Sequence, residues 1–256
     1  MPFPNFEGKH AHDPLFTAHD FLTYLRASNL LPDIDVPESA LLLYQPEAAH
    51  HLIGSRRPPD VRLFAPVYII TRGSGRSAVA GDFGIGAPVA SLVVEHLIAW
   101  GVRRFFSIGF AGALQASATV GDIVVCSGAV RDEGVSHHYA PAERYARPSE
   151  SLSDELRAEL TSRGLKHTTG ETWTVDAPYR ETVAEARHYQ AEGVLSVEME
   201  AAAVFTVARH HGVEAAAAFV ISDSLAEEQW NPRFFDPGLK EALFRLADAA
   251  AACAAH

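Results

Sequence analysis

The chain has 256 residues, 48% of them apolar and 21% charged, with a formal net charge of −11. That is enough apolar material for a sizeable core in one large domain or two small ones. The negative charge argues against nucleic acid or an anionic membrane as partner, because their phosphates would be repelled.

Residues 1–38 are rich in Pro, His and Asp, with one short amphipathic piece at 21–25, and read as an N-terminal arm. The first residues lack a basic segment followed by an apolar core, and no run approaches the roughly 20 apolar residues of a membrane span, so the expected compartment is the cytoplasm. Two cysteines, Cys126 and Cys253, form neither a disulfide framework nor a metal-ligand spacing, which fits a reducing compartment.

From residue 39 the pattern becomes regular. An apolar run at 39–44 predicts a buried strand, and 46–53 a helix after it. Residues 61–71 and 77–82 predict a hairpin around Arg72-Gly73-Ser74-Gly75. Pro88 is placed to open a helix over 89–100. A strand at 103–108, a turn at 109–113 and a strand at 121–130 follow. Next come a helix at 153–163 capped by Ser151 or Ser153, a strand at 166–175, a helix at 179–192, a strand at 215–222 and a helical tail at 237–255. Strands alternating with helices predict an α/β fold with a mainly parallel central sheet, and residues 39–256 read as a single domain without internal repeats.

Chemistry concentrates at strand ends, where parallel α/β sheets bind their ligands. Glu198-Met199-Glu200 stands between the apolar residues 194–197 and 201–205. Carboxylates on a first helical turn are also ordinary helix-start chemistry. A carboxylate pressed into that much apolar surface nevertheless needs a partner, and a ribose diol offers two donors. Met199 is a soft surface for a sugar face. Asp223 closes the next buried strand, as a turn aspartate or as an acid that helps a departing base carry its charge. Arg233, in a loop, is either a helper in that transfer or a solvated charge.

Gly86 and Gly112 belong to two glycine pairs after predicted strands, and their turns read as close backbone approach to a ligand, with Phe110 and Ala111 beside them. His138, in a charged stretch after a strand, reads as a pocket-rim or plain loop histidine, and Tyr179 as an aromatic wall for a flat base or a core contact. Adjacent histidines point apart, so the His137-His138 pair does not make a metal site. Neither a nucleophile elbow nor an activated cysteine is evident, which excludes covalent catalysis by those groups.

With these residues in hand, the chain resembles the nucleoside phosphorylase/uridine phosphorylase family from about residue 39 to 250, most specifically over 197–205. The segments 84–88, 109–113, 121–122 and 130–139 match in order and approximate spacing. The resemblance implies a three-layer α/β/α fold with a mainly parallel or mixed central sheet. It implies a nucleoside as substrate, no cofactor, phosphate as co-substrate, and a homo-oligomer (dimer or hexamer) in which a neighbour's region around His10, His12 or His19 completes each pocket. It assigns ribose contacts to Met199 and Glu200 and base departure to Asp223, an aspartate found in the purine phosphorylases and related nucleosidases. It also implies a phosphate contact for Arg62, donated by a neighbour.

Two family motifs are replaced. Where a Gly-Asp-Pro-x-Arg stretch follows the first strand, this chain reads Tyr44-Gln45-Pro46-Glu47-Ala48, and Ser107 stands where a second phosphate arginine is expected. The expectation is therefore phosphorolysis to base and ribose 1-phosphate, with hydrolysis by a water that Glu47 activates as the alternative, and a non-catalytic nucleoside binder as a third reading.

Overall fold

Buried runs without polar alternation build the middle of the molecule, as expected of strands covered on both faces. The computed structural model describes residues 4–54, 57–227 and 230–255. Its strands are β1 (Ser39–Leu43), β2 (Val61–Arg62), β3 (Pro66–Arg72), β4 (Gly75–Ala80), β5 (Arg104–Ala113), β6 (Ile123–Asp132), β7 (Tyr145–Ala146), β8 (His167–Val175), β9 (Ser196–Glu198), β10 (Glu214–Ser224) and β11 (Asn231–Pro232). Its helices are α1 (Ala18–Ala27), α2 (Pro46–Ile53), α3 (Ala87–Trp100), α4 (Glu150–Ser162), α5 (Val183–Ala191), α6 (Ala201–His210) and α7 (Pro237–Cys253).

The strands form one mixed sheet. β1 runs parallel to β4 and β5, β5 parallel to β10, and β6 parallel to β8, while β10 pairs antiparallel with β6. β9 joins β8 in parallel and β5 in antiparallel register. The path β5–β10–β6–β8–β9 thus returns to β5, closing half of the sheet into a ring, while β1, β4, β3 and β2 extend from it as an open wing.

Two apolar layers flank this sheet. One packs Leu22, Val93, Leu97, Val204 and Phe205 of α1, α3 and α6 against it; the other packs Leu52, Leu156, Leu243 and Leu246 of α2, α4 and α7. Helices therefore cover both faces of a mixed sheet, the three-layer arrangement expected.

Three differences from the sequence reading have clear causes. The amphipathic piece of the N-terminal segment forms α1, whose Leu22 is buried against the chain's own α3 region, while Phe21 and Tyr24 stay exposed. Thr17 and Asp20 form a capping box at its start. Residues 109–113 are not a turn but the end of β5. A side chain at Gly109 would come within 2.9 Å of the Tyr44 ring, so this glycine serves close packing inside a strand. Helix α5 starts at Val183 rather than 179, because Thr182 and Glu185 form a second capping box.

Candidate active site

The ends of β1, β5, β9 and β10 converge on a cavity of about 580 Å³. Its walls hold Phe110, Ala111 and Gly112 from β5, Glu198, Met199 and Glu200 from the β9–α6 junction, and Ser222 and Asp223 from β10. Tyr44 and Gln45 after β1 and Ile85 before α3 close one side, and Tyr179, Glu181, Trp230 and Phe234 stand at the other.

The junction after β9 is held by its own carboxylate. Glu198 Oε2 accepts hydrogen bonds from the backbone N–H groups of Glu200 at 2.8 Å and Ala201 at 2.7 Å. Its other oxygen accepts from Thr174 Oγ1 at 2.5 Å, and the same hydroxyl accepts from Ala202 N–H at 3.1 Å. Glu198 thus satisfies amides left unpaired at the start of α6, the helix-start role, while also bordering the cavity.

Glu200 differs. Its Oε1 accepts from Gly86 N–H at 2.5 Å. Gly86 can present that amide because it sits at φ 101°, a conformation costly for other residues. Burial pushes the Glu200 carboxyl well above the usual range, and the Glu198 charge adds to the effect. Glu198 is raised as well, chiefly by burial, against its own hydrogen bonds. Beside them the Tyr44 hydroxyl, also raised by burial and by the Glu200 charge, shares a 2.8 Å hydrogen bond with Ser107. The side-chain oxygen of Gln45, which borders the cavity, is buried with no hydrogen-bond partner.

At the opposite end, an irregular register between β10 and β5 pairs Ile221 with Ala111 and Asp223 with Gly112, leaving Ser222 as the extra residue. Bulges of this kind re-aim side chains, and here Asp223 borders the cavity at only 8% exposure. Its Oδ1 accepts from Ser222 Oγ at 2.7 Å and its Oδ2 from Trp230 Nε1 at 2.9 Å. Strand β11 brings Trp230 back by pairing Pro232 with Asp223. Glu181, half-buried, has its carboxyl pushed up to about 7 by burial and then by the Asp223 charge.

The structure therefore brings together Glu198, Met199, Glu200, Phe110, Ala111, Gly112, Tyr179 and Asp223, with Gly86 joined through its bond to Glu200. Tyr179 is 99% exposed at the mouth, which removes the core-packing alternative.

Four predicted residues lie elsewhere. Glu47 points to solvent from the first turn of α2 and does not line the cavity. Arg233 is exposed, and Trp230 occupies the place beside Asp223 expected for it. His138 lies in a short turn of helix where Nδ1 is 2.8 Å from Lys9 Nζ, outside the cavity lining. Arg62 is exposed on β2, in the open wing.

Glu181, Trp230, Gln45 and Tyr44 are among the lining residues the sequence reading missed. The Thr182–Glu185 capping box was the available signal for Glu181: it marks the start of α5 and so puts the preceding residues at the carboxyl end of β8.

The sequence profile described as "Phosphorylase superfamily" matches residues 40–255. The chain belongs to the phosphorylase superfamily. Within that superfamily it is 37% identical over 142 residues to a guanosine phosphorylase of Halorubrum lacusprofundi, an alignment covering 56% of this chain and 59% of the relative. It is 31% identical over 156 residues to a uridine phosphorylase of Haemophilus influenzae, covering 56% and 62% respectively. It is 31% identical over 157 residues to a DeoD-type purine nucleoside phosphorylase of Bacillus cytotoxicus, covering 59% and 64%. The chain thus spans about three fifths of the length of these relatives. The fold matches the crystal structure of a uridine phosphorylase from Vibrio fischeri with a TM-score of 0.74 at 23% identity, over 86% of this chain and 92% of that one. No helix of the described residues is long and apolar enough to cross a membrane.

Proposed function

We propose that this superfamily member cleaves the N-ribosidic bond of a purine nucleoside by phosphorolysis, releasing the free base and ribose 1-phosphate. The observation that carries the reading is one cavity lined by Met199 and Glu200 from the β9–α6 junction and by Asp223 from β10. Glu200 takes the ribose hydroxyls, Met199 lies under the sugar face, and Asp223 assists departure of the base. The base lies between the aromatic groups of Phe110, Tyr179 and Trp230. A buried carboxylate that lacks a cation gains from hydroxyl donors, and a ribose diol supplies two. The relative named as a guanosine phosphorylase supports a purine as the base.

One observation favours hydrolysis as a second reading. Among the described residues the cavity lining contains four carboxylates, Glu181, Glu198, Glu200 and Asp223, and no Lys, Arg or His. A doubly charged phosphate needs charge-assisted donors. Phosphorolysis therefore requires cations from outside this lining, such as Arg62 of a second copy in a homo-oligomer. With water as nucleophile no cation is needed, and the unpartnered oxygen of Gln45, rather than the exposed Glu47, is the group suited to hold that water.

Incubation with guanosine, inosine, adenosine and uridine, with and without phosphate, separates the readings. Phosphate-dependent release of purine with ribose 1-phosphate is expected. Equal release without phosphate establishes hydrolysis, and binding without release of any base removes both. Sedimentation of the same preparation as a monomer would remove the route through Arg62.

A further inference from the structure

A nucleophile that displaces a base from C1′ enters on the face of the sugar away from that base. With the base beside Asp223 and the ribose on Glu200, that face looks towards the side of the cavity closed by Tyr44, Gln45 and Ile85. Tyr44 is a fixed wall there. Its side chain belongs to the core on one face of the sheet and is 6% exposed. The ring lies against Gly109 of β5, where a Cβ would come within 2.9 Å of it, and meets the Phe83 ring edge-on at 5.5 Å between centroids. Its hydroxyl shares a 2.8 Å hydrogen bond with the fully buried Ser107. Swinging the ring aside would break that bond and open a void in the core. Tyr44 and Ser107 are also two of the positions at which the sequence departs from the phosphate motifs, and the fold makes them partners of one another.

We propose that Tyr44, locked by Ser107, selects the nucleophile: it holds this side of the cavity to the size of a small neutral molecule, so that phosphate enters poorly and water competes with it for the ribosyl group. This rests on the reading of the cavity as a site of N-ribosidic cleavage. In either case the C1′–N bond breaks with its electron pair leaving on the base, and an oxygen of the nucleophile forms the new bond to C1′. Water yields ribose and hydrogen phosphate yields ribose 1-phosphate. The proton that the base gains balances the one that water or hydrogen phosphate loses.

Volume and charge act together in this selection. A water molecule needs only about 30 Å³, whereas phosphate must also place its non-reacting oxygens where the Tyr44 ring stands. Burial, with the Glu200 and Glu198 charges, keeps the Tyr44 phenol protonated, so the wall offers a neutral hydroxyl and no positive charge. The same two carboxylates act on any anion placed beside that ring, and among the described residues the lining has no Lys, Arg or His. A doubly charged anion needs charge-assisted donors, and water does not. Bulk and uncompensated charge set against one competitor are a general route to specificity.

The test measures ribose and ribose 1-phosphate formed from inosine over a phosphate series. It compares wild type, Tyr44→Phe, Tyr44→Gly and the double variant Tyr44→Gly with Ser107→Arg. Wild type should form ribose without phosphate and, as phosphate is added, ribose 1-phosphate in an amount that rises without saturating through the millimolar range. Tyr44→Gly should raise the ratio of ribose 1-phosphate to ribose by about tenfold at equal phosphate, and Ser107→Arg on that background by about a further tenfold. Tyr44→Phe retains the ring and should stay within about threefold of the wild-type ratio. No ribose without phosphate, wild-type saturation at micromolar phosphate, an unchanged or lower ratio in Tyr44→Gly, or a shift in Tyr44→Phe as large as that in Tyr44→Gly would each overturn the assignment. If the melting curve shows Tyr44→Gly to be unfolded, Tyr44→Leu makes the same comparison with a smaller void, and the wild-type phosphate series decides by itself. Failure of wild type to release base from any nucleoside is a separate result, which would overturn the reading of the site and this proposal with it.

Discussion

Glu200 is kept where it is least comfortable, in a buried position beside a second carboxylate, with the Gly86 amide donating to one oxygen. A carboxyl whose folded-state proton affinity is raised binds more protons folded than unfolded above the ordinary glutamate range. Stability is therefore lost as pH rises through that window. Glu200→Gln retains a carbonyl oxygen for the Gly86 amide and removes the charge. At pH 8 it should raise stability by about 1.5 kcal/mol, roughly 3–6 °C in Tm, while lowering affinity for nucleoside. Below pH 5 the gain should vanish. Melting curves across pH check this, and a variant less stable than wild type at pH 8 would contradict the buried-charge account.

At the level of elements, the strand-to-helix junction depends on one hydroxyl from a neighbouring strand. Thr174 of β8 ties Glu198 to the first turn of α6, donating to the carboxylate and accepting from Ala202 N–H. Thr174→Val keeps the shape but leaves a buried carboxylate oxygen and a buried amide without that partner. The expected cost is about 2–4 kcal/mol, read from urea unfolding, with Thr174→Ser within about 1 kcal/mol of wild type. A cost below about 1 kcal/mol for Val would show that α6 does not rely on this tie.

Elements were also where legibility varied. Strands such as β1 and β10 stand out as unbroken apolar runs, and the acids at 198, 200 and 223 could be assigned to their ends because the alternation of strand and helix was clear. Gly109 and Gly112 misled, since a glycine that permits a turn and one that permits close packing look alike in sequence; only the Tyr44 ring and the Asp223 and Leu225 side chains tell them apart. Trp230 could not be found at all. Its place beside Asp223 follows from a chain reversal of two paired residues at β11, too short to leave a periodic signal.

For the whole molecule, the ring of strands makes the site a shared product of distant segments. β5 pairs with β1, β9 and β10, so residues after four different strands can reach one hollow. The same closure draws four acids into about 580 Å³ without a basic side chain in the lining among the described residues. Occupying that hollow should thus alter the proton inventory of the protein as well as fill space. Sugar hydroxyls donating to Glu200 would favour its ionised form, so an uncharged nucleoside should expel protons on binding near neutral pH. Calorimetric titrations in buffers of unlike ionisation enthalpy would register that release as a heat that scales with the buffer, and identical heats in all buffers would refute it.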